Sequence, residues 1–201
     1  ARTMSIARRA LLGAASLPLL PVVARAQSDW PNRPVRIIVP FPPGQASDII
    51  TRLVADELSR RWPQRVVVEN RAGGAGAPAL EAGARAPADG YTLTAGTSGT
   101  LGINPSVLPR LPYDAEKDFA AITNVAMVPL LVIANPSVPY RTMQELAAAA
   151  RAQPGALDMA SAGPATSQHM AAELLMLRAN IRFNIVHYRG SGPAIAEVIA
   201  G

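Results

Sequence analysis

The residues that could do chemistry are concentrated in four short loops, each placed directly after a predicted strand. We call residues 41–48 loop 1, residues 96–100 loop 2, residues 161–167 loop 3 and residues 188–192 loop 4. Small residues, hydroxyl groups and backbone amides dominate these loops, and they hold hardly any acid, base or nucleophile. Hydrogen-bond donors gathered before the N-terminus of a helix stabilise negative charge. The loops therefore favour holding a small anion over transforming it.

Loop 1 gives the clearest pattern of donors. It turns through Pro42-Pro43-Gly44, and because proline has no N–H, its free amides begin at Gly44 and run to Ser47. Asp48 falls in the first turn of the predicted helix, where a carboxylate suits the positive end of the helix or caps nearby amides. A tight turn with a well-capped helix explains the same residues without a ligand.

The elements around the loops alternate between strands and helices. This alternation predicts an α/β protein with a largely parallel sheet, in which the carboxyl ends of the strands bring the loops to one edge. Apolar residues after loop 1 recur at helical spacing and predict the face of the first helix that packs on the sheet. The predicted strands are residues 35–39, 66–69, 91–94, 158–161 and 185–188, and the predicted helix face is Ile49, Ile50, Leu53, Val54 and Leu58.

Two further features of the chain order carry expectations. Thr142 and Glu145 have the spacing of a capping box, which predicts that a helix begins there and ends before Pro154. Residues 122–134 form two apolar pieces hinged near Pro129.

Hydrolase chemistry is disfavoured by spacing. Gly96-Thr97-Ser98-Gly99 begins like a nucleophile elbow, but Thr100 stands where the second glycine of the motif is needed. The single lysine, Lys117, lies in a polar connection without a serine partner, and the chain has no cysteine. These residues give no complete nucleophile with its base.

Metal and cofactor sites are disfavoured as well. His169 and Glu173 are four residues apart and could form half of a metal site, yet no third ligand is evident, so a paired or loop-facing histidine is the simpler interpretation. His187, at the end of a strand, is interpreted as structural. The glycines of residues 73–76 lack the dinucleotide-binding spacing, and Asp89 arrives too early for a ribose contact.

The first 26 residues have the pattern of an export leader. Basic residues at 5–9 precede an apolar stretch, and Ala24-Arg25-Ala26 places small residues at the positions that a signal peptidase inspects. Arg8-Arg9 is also compatible with twin-arginine export. The whole chain has 19 basic and 14 acidic residues, but four arginines lie in the leader, so the mature chain is close to neutral. Nothing in this charge pattern supports nucleic-acid binding.

A long series of short motifs, spread in order along the chain, resembles the sequence pattern of one family. The chain is similar to the substrate-binding receptors of tripartite tricarboxylate transporters, also called Bug receptors. The matches are residues 30–44, Asp48, residues 66–71, 89–93, 96–98, 103–105, 111–114 and 118–119, residues 160–161, Gly163, residues 166–167, His169, Tyr188 and residues 190–191.

The resemblance implies a fold and a domain organisation. The expected fold is a type II periplasmic-binding-protein architecture with two α/β domains and mainly parallel sheets. The expected boundaries are a leader at 1–26, a first domain at 27–126 and a second domain at 127–201. Family chains continue beyond this length, so the second domain is expected to be incomplete, and a non-functional fragment stays an alternative.

The resemblance also implies a function. The expected protein is a periplasmic receptor that closes on a small carboxylate and delivers it to the membrane subunits of a secondary transporter, with no catalysis and no cofactor. A periplasmic α/β hydrolase and the effector domain of a transcription regulator are the alternatives. The implied ligand-binding residues are Phe41, Pro43, Gly44, Gln45, Ala46, Ser47, Asp48, Thr97, Ser98, Asn104, Ser161, Gly163 and Thr166.

The chain departs from the family pattern at several loop positions. Gln45 replaces a second glycine after Gly44, and Ala162, Pro164 and Ala165 replace polar or flexible residues in loop 3. These departures bear on which carboxylate is held.

Overall fold

The computed structural model describes residues 30–201, and the predicted leader lies outside the described residues. Residues 31–201 form one compact unit that contains two parallel sheets and the helices around them. The strands are β1 (Val35–Val39), β2 (Val66–Asn70), β3 (Thr92–Thr94), β4 (Asp158–Ser161) and β5 (Asn184–His187). The α-helices are α1 (Ala46–Arg61), α2 (Ala77–Ala84), α3 (Asn104–Val107), α4 (Met143–Ala152), α5 (Ser167–Ala179) and α6 (Ser191–Ala200).

The first sheet has the order β2-β1-β3, with all strands parallel. The central strand β1 is apolar on both faces, and Val35 and Ile38 are completely buried. Val35 packs with Ala55 of α1 on one face, and Ile38 packs with Leu80 of α2 on the other. Helices cover both faces of this strand, which is why its sequence is a nearly continuous apolar run.

The predicted packing face of α1 is partly wrong. Ile49 and Leu53 are 51% and 66% exposed, whereas Asp48, Thr51 and Ala55 form the buried face. Helix α1 is rotated about its axis relative to the prediction. Asp48 is hydrogen-bonded to residues of loop 1 and β2, and these bonds place its side of the helix against the sheet. Apolar spacing alone could not show that a carboxylate would be on the inner face.

The second sheet pairs β4 with β5 in parallel, and Ser161 lies opposite His187 at the end of the ladder. Helix α4 begins at the predicted capping box, in which Thr142 accepts a hydrogen bond from the amide of Glu145 and Glu145 accepts one from the amide of Thr142. Helices α5 and α6 follow β4 and β5 through loops 3 and 4. The βα order of the first sheet is thus repeated in the second.

Residues 120–134 connect the two sheets as an exposed chain without helix or strand. Met127 is 88% exposed and Leu131 is 81% exposed, so the apolar pieces predicted here contact little of the described protein. The connection is held at its end, where Asn135 donates hydrogen bonds to the carbonyl groups of Val198 and Ile199 in α6. No helix among residues 30–201 is long and apolar enough to cross a membrane.

We predict that this exposed connection promotes self-association rather than stability. Exposed apolar chain without strand partners is a site for aggregation. Leu131→Lys should therefore slow aggregation measured by light scattering while changing the free energy of unfolding by less than about 0.5 kcal/mol.

The control for this prediction is Leu80→Ala, which opens a cavity beneath β1 and should cost about 2–5 kcal/mol in a denaturant titration. A loss of stability in Leu131→Lys as large as that in Leu80→Ala would show that the connection is packed in solution.

Candidate functional site

The four loops meet at the carboxyl ends of the two sheets. Loops 1 and 2 follow the neighbouring strands β1 and β3, and loops 3 and 4 follow the neighbouring strands β4 and β5. Loop 2 faces loop 3, because a Cβ placed on Gly99 would lie 3.3 Å from the carbonyl oxygen of Ala165. Loop 1 faces loop 4, because a Cβ on Gly190 would lie 3.6 Å from the ring of Pro42. The predicted gathering of the loops is therefore seen in the described protein.

A buried carboxylate organises loop 1. Asp48 is 2% exposed and accepts hydrogen bonds from the amide of Gly44 at 2.9 Å, from Asn70 Nδ2 at 2.8 Å and from Arg52 Nε at 3.0 Å. Asn70 Nδ2 also donates to the carbonyl of Phe41 at 2.9 Å. Asp48 therefore connects both ends of the loop to β2, and its oxygens are occupied by protein donors.

The surroundings of Asp48 keep it ionised. Burial raises the pKa of this carboxyl, but the hydrogen bonds from Arg52, Gly44 and Asn70 together outweigh burial, and the net result is a lowered pKa. The Asp48–Arg52 ion pair has a 2.9 Å contact, so the charge of Arg52 is matched within loop 1 and α1. The negative charge of a ligand at loop 1 would therefore not be needed to balance the positive charge of Arg52.

The donors of loop 1 are at the start of α1. Gln45 is the N-cap residue and its side chain makes no capping hydrogen bond. Ala46 and Ser47 are in the first helical turn, where backbone amides have no carbonyl partner within the helix. Ser47 Oγ and Gln45 Oε1 are buried and have no hydrogen-bond partner among the described residues. The predicted free amides of Gly44 and Gln45 are instead occupied, because they donate to Asp48 at 2.9 Å and to a carbonyl of loop 1 at 3.4 Å. The donors that this N-terminus offers are therefore the first-turn amides of Ala46 and Ser47 and the unpartnered hydroxyl of Ser47.

Loop 2 is held by hydrogen bonds between its own threonines. Thr97 Oγ1 accepts from the amide of Thr100 at 3.2 Å, and Thr100 Oγ1 accepts from the amide of Thr97 at 2.9 Å. This reciprocal pair begins a π-helical segment at Ser98–Ile103. The side chain of Ser98 is exposed at the start of that segment. Of the two hydroxyl groups predicted here, Thr97 shapes the loop and Ser98 faces outward.

Asn104 supports loop 2 from the interior. It is completely buried and donates from Nδ2 to the carbonyl of Ala75 at 2.9 Å and to Tyr113 Oη at 3.2 Å. Tyr113 Oη in turn donates to the carbonyl of Thr100. The structure therefore places this predicted ligand residue beneath the loop surface, where it holds loop 2 in position.

Loop 3 is also held by its own polar side chains. Ser161 is 1% exposed, and its Oγ accepts from the amide of Gly163 at 3.3 Å. Thr166 Oγ1 donates to the carbonyl of Gly163 at 2.7 Å and accepts from the amide of His169 at 3.3 Å, which makes it the N-cap of α5. The two hydroxyls predicted to face a ligand are thus used to fold the loop.

His169 holds loop 3 in place, a role that the sequence predicted only in part, as a paired or loop-facing histidine. Its Nδ1 accepts a hydrogen bond from the amide of Ala165 at 3.2 Å, and Ala165 has a positive φ of 56°. This acceptor role requires Nδ1 to be unprotonated, which leaves Nε2, 3.4 Å from Glu173 Oε1, as the protonated nitrogen. The spacing of His169 and Glu173 predicted that these two side chains pair, but nothing in the sequence predicted the hydrogen bond from Ala165.

The second histidine packs against the first. The rings of His169 and His187 are edge to face with centroids 4.6 Å apart. Desolvation lowers the pKa of His187, and the neighbouring His169 lowers it further, while Glu173 opposes the shift. Among the described residues, no group of three His, Asp or Glu side chains is placed to hold a metal ion. Of the two histidines, His187 is exposed at the end of β5, and His169 is the one that bonds loop 3.

We predict that Asp48 stabilises the fold in a pH-dependent way. Asp48→Asn should lower the free energy of unfolding at pH 7 by about 1–3 kcal/mol, because buried donors lose a charged acceptor. The pKa of Asp48 is lowered in the folded state, so its contribution is complete above the unfolded value near 4 and is lost as the pH falls through the folded value. Denaturant titrations of wild type and variant should therefore converge below about pH 4. A difference that grows on acidification would contradict this role.

We predict that the acceptor at position 169 is what loop 3 requires. Asn Oδ1 can take the place of His Nδ1, whereas Phe keeps the ring and removes the acceptor. His169→Asn should keep the Ala165 amide slow to exchange with deuterium, and His169→Phe should make that amide exchange at least about tenfold faster. Equal exchange in both variants would show that the Ala165–His169 hydrogen bond does not hold the loop.

With this geometry described, comparison with known proteins identifies the family. The family model described as "Tripartite tricarboxylate transporter family receptor" matches residues 50–201. The UPF0065 protein in the tcbD-tcbE intergenic region of Pseudomonas sp. (strain P51) is 39% identical over 98% of this chain and 59% of its own length. This chain spans somewhat more than half the length of the curated relatives it matches.

Solved structures show the same architecture. MatC from Rhodopseudomonas palustris with bound malate is 30% identical, with a TM-score of 0.77 over 84% of this chain and 57% of its own. An R. palustris protein solved with adipate is 32% identical, with a TM-score of 0.74 over 84% of this chain and 56% of its own. These neighbours confirm the predicted periplasmic-binding-protein fold, and proteins of this kind are periplasmic. The chain belongs to the family of tripartite tricarboxylate transporter receptors.

Proposed function

We propose that this chain holds a small carboxylate as part of a solute-binding receptor for a tripartite tricarboxylate-type transporter. The observation that carries the proposal is the N-terminus of α1, where the first-turn amides of the helix and the unpartnered hydroxyl of Ser47 lie at the edge where all four loops meet. The chain's family and the malate and adipate in two solved relatives support the choice of a carboxylate.

The first carboxylate group would be bound by neutral donors. The N-terminus of a long helix carries roughly half a positive charge, and the first-turn amides of Ala46 and Ser47 can donate to an anion. The hydroxyl of Ser47 supplies a further donor once its proton is turned toward the ligand. Phe41, Pro43 and Gly44 would form the wall of this position, and Asp48 would keep its shape.

The opposite side of the site is formed by the second sheet. Helices α5 and α6 begin within the last residues of loops 3 and 4, so two further helix N-termini lie at the same edge. Because the hydroxyls of Ser161 and Thr166 fold loop 3, we assign them a supporting role. Ligand contacts from this side would come from Gly163 and from the first-turn amides of α5.

We propose that the site binds without catalysis. Ser98 is exposed at the start of the π-helical segment. His169, which could serve as a base, is engaged with Ala165 and Glu173. The loop residues among positions 30–201 are suited to holding and orienting an anion, and none of these loop residues is arranged to attack one.

The family assignment extends the proposal to location and partners. The leader-like sequence at residues 1–26, with its Arg8-Arg9 pair, supports export to the periplasm by the general or the twin-arginine route. The membrane subunits of a tripartite tricarboxylate transporter are the partners that a loaded receptor of this family would meet. Closure of the two sheets around the ligand would provide the signal for loading.

We predict that a negative charge at position 46 abolishes binding without harming the fold. Ala46 is exposed in the first turn of α1, where an aspartate stabilises the helix dipole but repels a bound anion. Calorimetric titration with malate should show at least about a hundredfold weaker binding for Ala46→Asp than for its neutral isostere Ala46→Asn. The thermal midpoint of Ala46→Asp should equal or exceed that of Ala46→Asn. Equal affinities of the two variants for malate would contradict the proposed position of the carboxylate.

A further inference from the structure

Gln45 makes a contact between the two halves of the site that its position as an N-cap residue does not require. Its side chain does not cap α1 but extends to loop 4, where its Oε1 lies 2.9 Å from the place that a Cβ on Gly190 would occupy. Gly190 has a positive φ of 112°, a conformation that residues other than glycine rarely adopt. The close approach of Gln45 and the backbone of Gly190 thus depends on glycine at position 190.

The two ends of the Gln45 amide have different surroundings. Oε1 is buried without a hydrogen-bond partner among the described residues. Nε2 is not among the buried unpartnered atoms, and it makes no hydrogen bond to another described residue. A buried amide oxygen without a partner is costly, so packing between loops 1 and 4 must hold this side chain in place. It therefore presents a free N–H₂ group at a fixed position beside the helix N-terminus.

We propose that Gln45 is a specificity-determining residue that limits the length of the bound carboxylate. This inference rests on the proposed function. Wedged between loops 1 and 4, the side chain occupies space that a longer ligand would need, and its Nε2 donates a hydrogen bond to the ligand's carboxylate. The site consequently favours a short dicarboxylate with four carbons over a longer one with six.

The test compares the affinities of malate and adipate for wild type, Gln45→Gly and Gln45→Glu by calorimetry on the full 201-residue chain. Gln45→Gly removes the wedge and the donor, so malate should bind roughly tenfold or more weakly, as expected for a lost charge-assisted hydrogen bond. The preference for malate over adipate should fall by a similar factor. Gln45→Glu keeps the shape but replaces the donor by a carboxylate, and it should bind both anions at least tenfold more weakly.

The matched control is Gln153→Gly, at the exposed end of α4, where affinity and preference should stay at the wild-type values. If wild type binds malate but Gln45→Gly keeps both affinity and preference, the inference is wrong and the proposed function stands. If wild type binds neither anion even at millimolar concentration, the proposed function is wrong, and the inference that depends on it is wrong too.

A measurement without ligand tests the wedge by itself. In two-dimensional NMR spectra of the free protein, Gln45→Gly should shift the amide resonance of Gly190, which is distant in sequence, and Gln153→Gly should leave it unchanged. An unchanged Gly190 resonance in Gln45→Gly would show that the two loops do not meet through this side chain and would overturn the inference.

Discussion

The buried carboxylate of Asp48 is the constraint on which the candidate site depends. It bonds the turn of loop 1, the amide side chain that ends β2, and the arginine one turn along α1. These bonds fix how α1 is rotated on the sheet, and that rotation leaves Ile49 and Leu53 in solvent. They also pair the nearby arginine with a carboxylate, so loop 1 presents the N-terminus of a helix rather than an unpaired arginine.

Polar side chains hold the backbone of the other loops in the same way. Thr97 and Thr100 cap each other, Asn104 is buried under loop 2, and Ser161 and Thr166 fold loop 3. Residues that could contact a ligand are instead used to hold backbone amides in place. We infer that a ligand bound to amides held in this way would cost little conformational entropy, because hydrogen bonds within the chain already hold the loops.

The sequence was sufficient for the order of elements and for the meeting place of the loops, because apolar runs, prolines and the Thr142 capping box are local signals. It was insufficient where the outcome depended on partners far apart in the chain. The inward side of α1 follows from Asp48 bonding Asn70, the buried place of Asn104 follows from Ala75 and Tyr113, and the role of His169 follows from the conformation of Ala165. Polar residues in loops fit both ligand contact and loop support, and only tertiary structure separates the two.

The central claim is that a carboxylate binds to the backbone amides at the start of α1. The most direct measurement is the change in amide chemical shifts of ¹⁵N-labelled protein during titration with malate, which reports weak as well as tight binding. The account predicts that the resonances of Ala46 and Ser47 shift together and saturate at one concentration, while the amides of α4 stay unchanged. Saturable shifts confined to other parts of the chain, with Ala46 and Ser47 unaffected, would contradict it.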